Sequence, residues 1–180
     1  MFTACNTRAI CLCVIAMWAA ADAAQASFHL IQIEQIIGGV NGDTTAQAIQ
    51  LRFRANGQNF LTPARIRAWD ATGQNPVVVV NFGSTAPNGG FGNRVLIASP
   101  AFSNVTSPAA VTDYPMSFLI PASYLAAGSL TFETDNGAFV YWRVSWGGGG
   151  YTGSTTGVTD NDADGQFGPP FPGPLPSGGL

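Results

Sequence analysis

Few residues in this chain are of the type that moves protons, holds ions or grips charged ligands, so each can be weighed singly. His29 is the only histidine and lies near the start of the first extended run. The only glutamates are Glu34 and Glu133. Folding would have to bring them face to face for paired-carboxylate hydrolysis, yet each sits inside an alternating run that reads as structural. No nucleophile elbow, phosphate loop or zinc-protease motif occurs. The densest cluster is Asp160-Asn161-Asp162-Ala163-Asp164-Gly165, which fits the D-x-D-x-D-G opening of a calcium loop. Its oxygens at alternate positions would converge on one hard cation, with Asp160, Asp162 and Asp164 as ligands. The bidentate Glu expected at the twelfth position is replaced by Phe171, so the competing reading is a solvated acidic turn.

Two further groups suggest binding. Arg52, Arg54, Arg65 and Arg67 are four of the six arginines beyond residue 26, and they alternate along two successive extended runs. If those runs pair as a hairpin, four guanidinium forks share one face and can grip carboxylate or phosphate groups of an acidic polymer. The competing reading is a hydrated sheet face whose charges discourage edge aggregation. Trp69, Tyr141 and Trp142 are candidates for a sugar-stacking platform. Trp142, Val144 and Trp146 share a strand face, however, and a core stripe is the commoner reason for that spacing.

The elements that must position these groups are extended. Ile49, Leu51 and Phe53 alternate with Gln50, Arg52 and Arg54, the period-2 signature of a strand with one buried and one wet face. Ile66 stands in the same way against Arg65 and Arg67. About eight strands follow from such runs: 28–37, 46–55, 64–71, 76–82, 94–98, 116–120, 129–134 and 138–146. The four consecutive valines from Val77 to Val80 suit burial on both faces. Asp135-Asn136-Gly137 between two runs predicts a hairpin, and residues 121–127 suit one helical turn. No segment sustains a 3.6-residue period. The expected fold is all-β, an antiparallel two-sheet sandwich or a partly closed barrel, spanning residues 27–147.

Composition sets the limits. The 180 residues are 46% apolar and 9% charged, where an ordinary soluble domain is about 25% charged. There are 7 Arg, no Lys and 10 acidic residues, a net charge of −3, which argues against a nucleic-acid partner. Residues 1–26 read as a secretory signal. Arg8 gives the positive start, residues 9–21 the apolar run, and Ala21-Asp22-Ala23 and Ala24-Gln25-Ala26 the small-residue cleavage sites. Asp22 cuts the run short of the roughly 20 residues a membrane span needs. Cys5, Cys11 and Cys13 all fall inside that leader, so the exported chain carries no disulfide or thiol.

After Trp146 the composition turns to Gly, Ser, Thr and Pro, and residues 148–180 read as a disordered, linker-like tail. Its ending at Pro176-Ser177-Gly178-Gly179-Leu180 suits either a flexible terminus or a cut before a further domain.

The ordered features together resemble a lamin-tail domain, an immunoglobulin-like sandwich of exported bacterial proteins. Ile31-Gln32-Ile33-Glu34-Gln35-Ile36 resembles its opening strand, Gly38 to Asp43 the loop after it, and Ala48-Ile49-Gln50-Leu51 its second strand. Pro63 to Gly73, Gly128-Ser129-Leu130-Thr131-Phe132 and Gly137 to Gly147 resemble its later strands and closing hairpin. Gln47 and Gln50 depart from the family's Glu-rich second strand. The resemblance implies an adhesion or scaffolding module rather than a catalyst. The expected function is therefore an exported, non-enzymatic module at the cell surface or outside the cell. Its partner would be a polymer or protein there, with no cofactor beyond a calcium ion. The alternative is a carbohydrate-binding module using the surface aromatics.

Overall fold

The structure, a computed structural model, describes residues 28–178; the expected leader and its three cysteines lie outside them. Eight strands form: β1 (Ile31–Ile37), β2 (Ala48–Phe53), β3 (Ala64–Trp69), β4 (Val77–Asn81), β5 (Arg94–Ala98), β6 (Tyr114–Pro115), β7 (Gly128–Thr134) and β8 (Val140–Trp146). One sheet has the order β1-β2-β5-β6 and the other β4-β3-β7-β8. Pairing is antiparallel except for β5 with β6, which is parallel. β1, β2 and β5 against β4, β3, β7 and β8 is the immunoglobulin-like arrangement, two aligned layers sealed face to face.

Alternation explains the seal. Ile49, Leu51 and Phe53 of β2, Ala64, Ile66 and Ala68 of β3, and Leu130 and Phe132 of β7 are all buried in one core. β7 and β8 join through the Asp135-Asn136-Gly137 turn, with Gly137 at φ 77°, a left-handed conformation that glycine adopts without strain. The valine run behaves differently from its expectation. β4 is an edge strand, and a bulge opposite Ile66 and Arg67 breaks its alternation, so Val79 and Val80 are buried while Val77 and Val78 are half-buried.

Two elements depart from the expected set. Residues 116–120 are not a strand; the pairing segment is the two-residue β6 just before them. Beyond it, Ser117 and Phe118 donate to Val79 O of β4, so chain from the first sheet closes against the edge of the second. A short helix, α1 (Pro100–Val105), follows β5; the Ser99 side chain caps it by accepting from the Phe102 N–H, and Pro100 occupies the first turn. Phe102 packs with Val40, Ala46, Ala48 and Ala98 in a second, smaller cluster. The expected helical turn is present as a 3-10 turn at Ala122–Tyr124.

The largest correction concerns the tail. Residues 148–178 are a packed part of the sandwich, tied by backbone hydrogen bonds at intervals along their length. Thr152 N–H donates to Ala71 O, Val158 to Val140 O, Phe171 to Ser145 O and Leu175 to Leu125 O. At the far end, Gly38 donates to Pro176 O, Gly42 to Ser177 O and Asn41 to Gly178 O. Tyr151, Asn161 and Leu175 are its buried anchors. Glycine serves close approach here rather than flexibility. A Cβ on Gly157 would meet Val140 O at 2.5 Å, and one on Gly153 would meet the Gly73 Cα at 2.7 Å. Among the described residues, no helix is long and apolar enough to cross a membrane.

Candidate binding site

Strands β2 and β3 are consecutive in sequence but lie in different sheets, so the four arginines do not share one face. Arg52, on the outer face of the first sheet, approaches Glu34 Oε1 at 3.5 Å. The stronger partner of Glu34 is Arg94 of β5, whose Nε lies 2.6 Å from Oε2 and Nη2 3.1 Å from Oε1. Gln50 adds a bond of 2.7 Å. Arg94 above all holds the Glu34 carboxyl below its usual range. Arg54, just past the end of β2, donates to Asn161 O and lies over the Trp142 ring at 5.6 Å.

Arg65 and Arg67 stand together on the outer face of the second sheet. The register places Arg65 opposite Glu133 and Arg67 opposite Thr131. Glu133 is fully buried although it points away from the core. Its Oε1 takes the Arg65 Nε at 2.7 Å and also pairs with the Arg67 Nε, and its Oε2 accepts from Thr131 Oγ1 at 2.9 Å. Thr131 Oγ1 in turn accepts from Trp69 Nε1 at 2.9 Å, and Arg67 lies over the Trp69 ring at 4.3 Å. Arg143 follows Thr131 across the sheet and donates to Thr156 O at 3.0 Å. The tail lies over this part of the sheet: the Tyr151 hydroxyl bonds both Ser129 Oγ and Ser154 O. Burial lowers the Arg143 pKa by disfavouring its charged form. Alternation marks this as a wet face; the strands form as expected, Arg65 and Arg67 pair over Glu133, and the tail covers the neighbouring Ser129 and Arg143.

The three proposed platform aromatics are dispersed. Trp69 is on the outer face just described. A bulge where β8 passes Phe132 and Glu133 turns both Tyr141 and Trp142 toward the other layer. Tyr141 packs edge-on against Phe28 at 5.4 Å and Trp142 against Phe167 at 5.2 Å. Trp146 is core.

The acidic turn is organised around its asparagine. Asn161 is buried, and its Nδ2 reaches His29 O, Ile31 O and Tyr141 O, stitching β1 to β8 across the gap between the sheets. Asp162 and Asp164 instead face outward as turn formers, accepting from the Asp164 and Gln166 N–H groups. The Gln166 bond in particular lowers the Asp164 pKa. Among the described residues, no three His, Cys, Asp or Glu side chains gather as a metal cage. Glu34 and Glu133 belong to different sheets, each taken up by its own arginines.

Where the edge strands β1 and β8 diverge, the tail forms the third wall of a cleft of about 430 Å³. Ile33 and Ile36 line it from β1, Trp142 from β8, and Phe167, Phe171 and Pro174 from the tail. The Trp142 Nε1 is buried with no hydrogen-bond partner, and Phe171 is 65% exposed beside it. Sequence reasoning singled out Trp142 but missed the tail residues, whose only signal was aromatic side chains recurring within a Gly/Pro-rich stretch. No family model matches the chain, and no curated protein is similar enough to it to count as a relative.

Proposed function

We infer that this chain is an exported, non-catalytic binding module acting at the cell surface or outside the cell, in the manner of the adhesion and scaffolding sandwiches it resembles. The observation that carries this reading is the cleft between β1 and β8, concave, largely apolar and walled by Trp142, Phe167, Phe171 and tail prolines. Such a lining suits recognition of a ligand surface. The one carboxylate on its rim, Glu34, is held ionised by Arg94, which suits a structural ion pair and disfavours a proton donor. Purified chain applied to intact cells and to isolated envelope polymers tests the reading, compared with Trp142→Ala. Retention that falls at least several-fold in the variant, with its melting temperature kept, supports it. Equal retention of both, or none of either, refutes it.

One observation favours the alternative of a carbohydrate-binding module. The exposed Phe171 ring on the cleft wall, flanked by Pro172 and Pro174, offers a flat apolar surface of the kind a pyranose face stacks on. A glycan array separates the two readings, because saturable binding of a free oligosaccharide is expected only for the second.

A further inference from the structure

The arginine cluster on the outer face of the second sheet is a separate feature, and its inference goes beyond the cleft. Three guanidinium groups, Arg65, Arg67 and Arg143, surround a single buried carboxylate, Glu133. Within this cluster two positive charges have no carboxylate, in a chain whose overall charge is −3. Positive charge held out of water is unfavourable unless it meets an anion or hydrogen-bond acceptors. Arg143 meets one such acceptor in Thr156 O.

Arg65 and Arg67 do not, at their outer ends. Arg65 donates its Nε–H to Glu133, Arg67 meets the same oxygen as an ion pair with its buried Nε–H making no hydrogen bond, and the terminal nitrogens of both make no hydrogen bond to any described residue. Those ends converge. Both Nη2 atoms come up against the Gly137 turn, 2.7 and 2.9 Å from where a Cβ on that glycine would lie, so the two ends sit side by side along its backbone. Their side chains are 16% and 17% exposed, so the opening to solvent is narrow and admits a small group rather than a broad surface. The guanidiniums are held in place by the Glu133 carboxylate and, for Arg67, by the Trp69 ring. Forks held in place bind an oxyanion with little further loss of side-chain freedom.

We propose that Arg65 and Arg67, beside the Gly137 turn and Trp69, form a binding site for one small oxyanion, a carboxylate or a sulfate group of an acidic ligand. Glu133 is a positioning residue in this site. It holds the Arg65 guanidinium through an Nε hydrogen bond and the Arg67 guanidinium by charge, and leaves the terminal N–H groups for the ligand.

The test uses the purified chain at constant ionic strength, titrated with sodium sulfate in one arm and sodium glucuronate in the other. The resonances followed are the Trp69 indole N–H and the arginine Nε–H groups. The proposal expects saturable shifts at Trp69, Arg65 and Arg67 in at least one arm, and the arm that saturates at lower concentration identifies the oxyanion. Arg67→Gln should weaken that binding about tenfold or more. Arg67→Lys, which keeps the charge and loses the fork, should fall between. Two results overturn the proposal: no saturable shift at these groups in either arm, or undiminished affinity in a folded Arg67→Gln. Should both variants fail to fold, the wild-type resonances alone decide.

Discussion

Replacing Leu175 with alanine separates a packed tail from a loose one. Leu175 is 6% exposed and belongs to the main core cluster. Its Cβ would lie 2.9 Å from a Cβ on Gly38, and the Leu125 side chain shares that spot. Fully buried Leu→Ala changes cost about 2–5 kcal/mol, with the larger values where the cavity cannot collapse. Leu175 stands beside the β1–β8 cleft and on a tail able to settle inward, so the lower end applies, about 2 kcal/mol. For a chain of this size that corresponds to a fall in Tm of roughly 4–8 °C. Urea unfolding followed by tryptophan fluorescence measures it, with exposed Gln166→Ala as a control expected within about 0.5 kcal/mol of wild type. A Leu175→Ala loss inside that same 0.5 kcal/mol would refute the packing argument, because a linker residue has no core contact to lose.

The other expectations follow the same logic. Asn161→Ala strips one donor group from three backbone carbonyls that join β1 to β8, and chemical denaturation should show a loss of about 1–3 kcal/mol. Glu133→Gln leaves Arg65 and Arg67 without their charge partner, a cost of roughly 2–4 kcal/mol given their slight exposure, read by the same unfolding curves. Asp70 accepts from the Gln74 N–H, the Thr72 hydroxyl and N–H, and the Asn75 amide, and its pKa falls to about 2. Because that value lies below the usual 3.8, the stability it supplies is complete above about pH 4 and is lost as pH falls through 2; a carboxyl-carbon NMR titration gives the midpoint directly. Removing divalent ions with EDTA should leave Tm unchanged, since the Asn161 amide joins the strands at the acidic turn; a fall of several degrees would instead support a calcium role for Asp160, Asp162 and Asp164.

How far the sequence is legible depends on whether a contact is local. Alternation within one strand is local, and Ile49, Leu51 and Phe53 opposite Gln50 and Arg52 came out on the expected faces. Which sheet a strand joins is a long-range matter. Arg52 and Arg65 are thirteen residues apart, yet the chain crosses from one layer to the other between them, so spacing alone could not show that their arginines part. Burial of an outward face is equally non-local: the face of Arg65 and Arg67 reads as hydrated until Glu133 of β7 pairs with both and Tyr151 of the tail covers Ser129 beside them. Composition misled about the tail because the same glycines that loosen a free chain permit backbone contact in a packed one, as at Gly153 against Gly73. For α1 a local signal did exist, Ser99 before Pro100, but six residues are too few to show a helical period.

The most direct test of the account is amide hydrogen exchange on the purified chain, read at Gly38, Gly147, Phe171 and Leu175, whose N–H groups bond between tail and sandwich. Protection close to that of the core amides of β2 and β7 is expected, since the tail walls the cleft and covers Ser129 and Arg143 on the second sheet. Exchange at the rate of an unfolded peptide at these four positions, with β2 and β7 still protected, would contradict it.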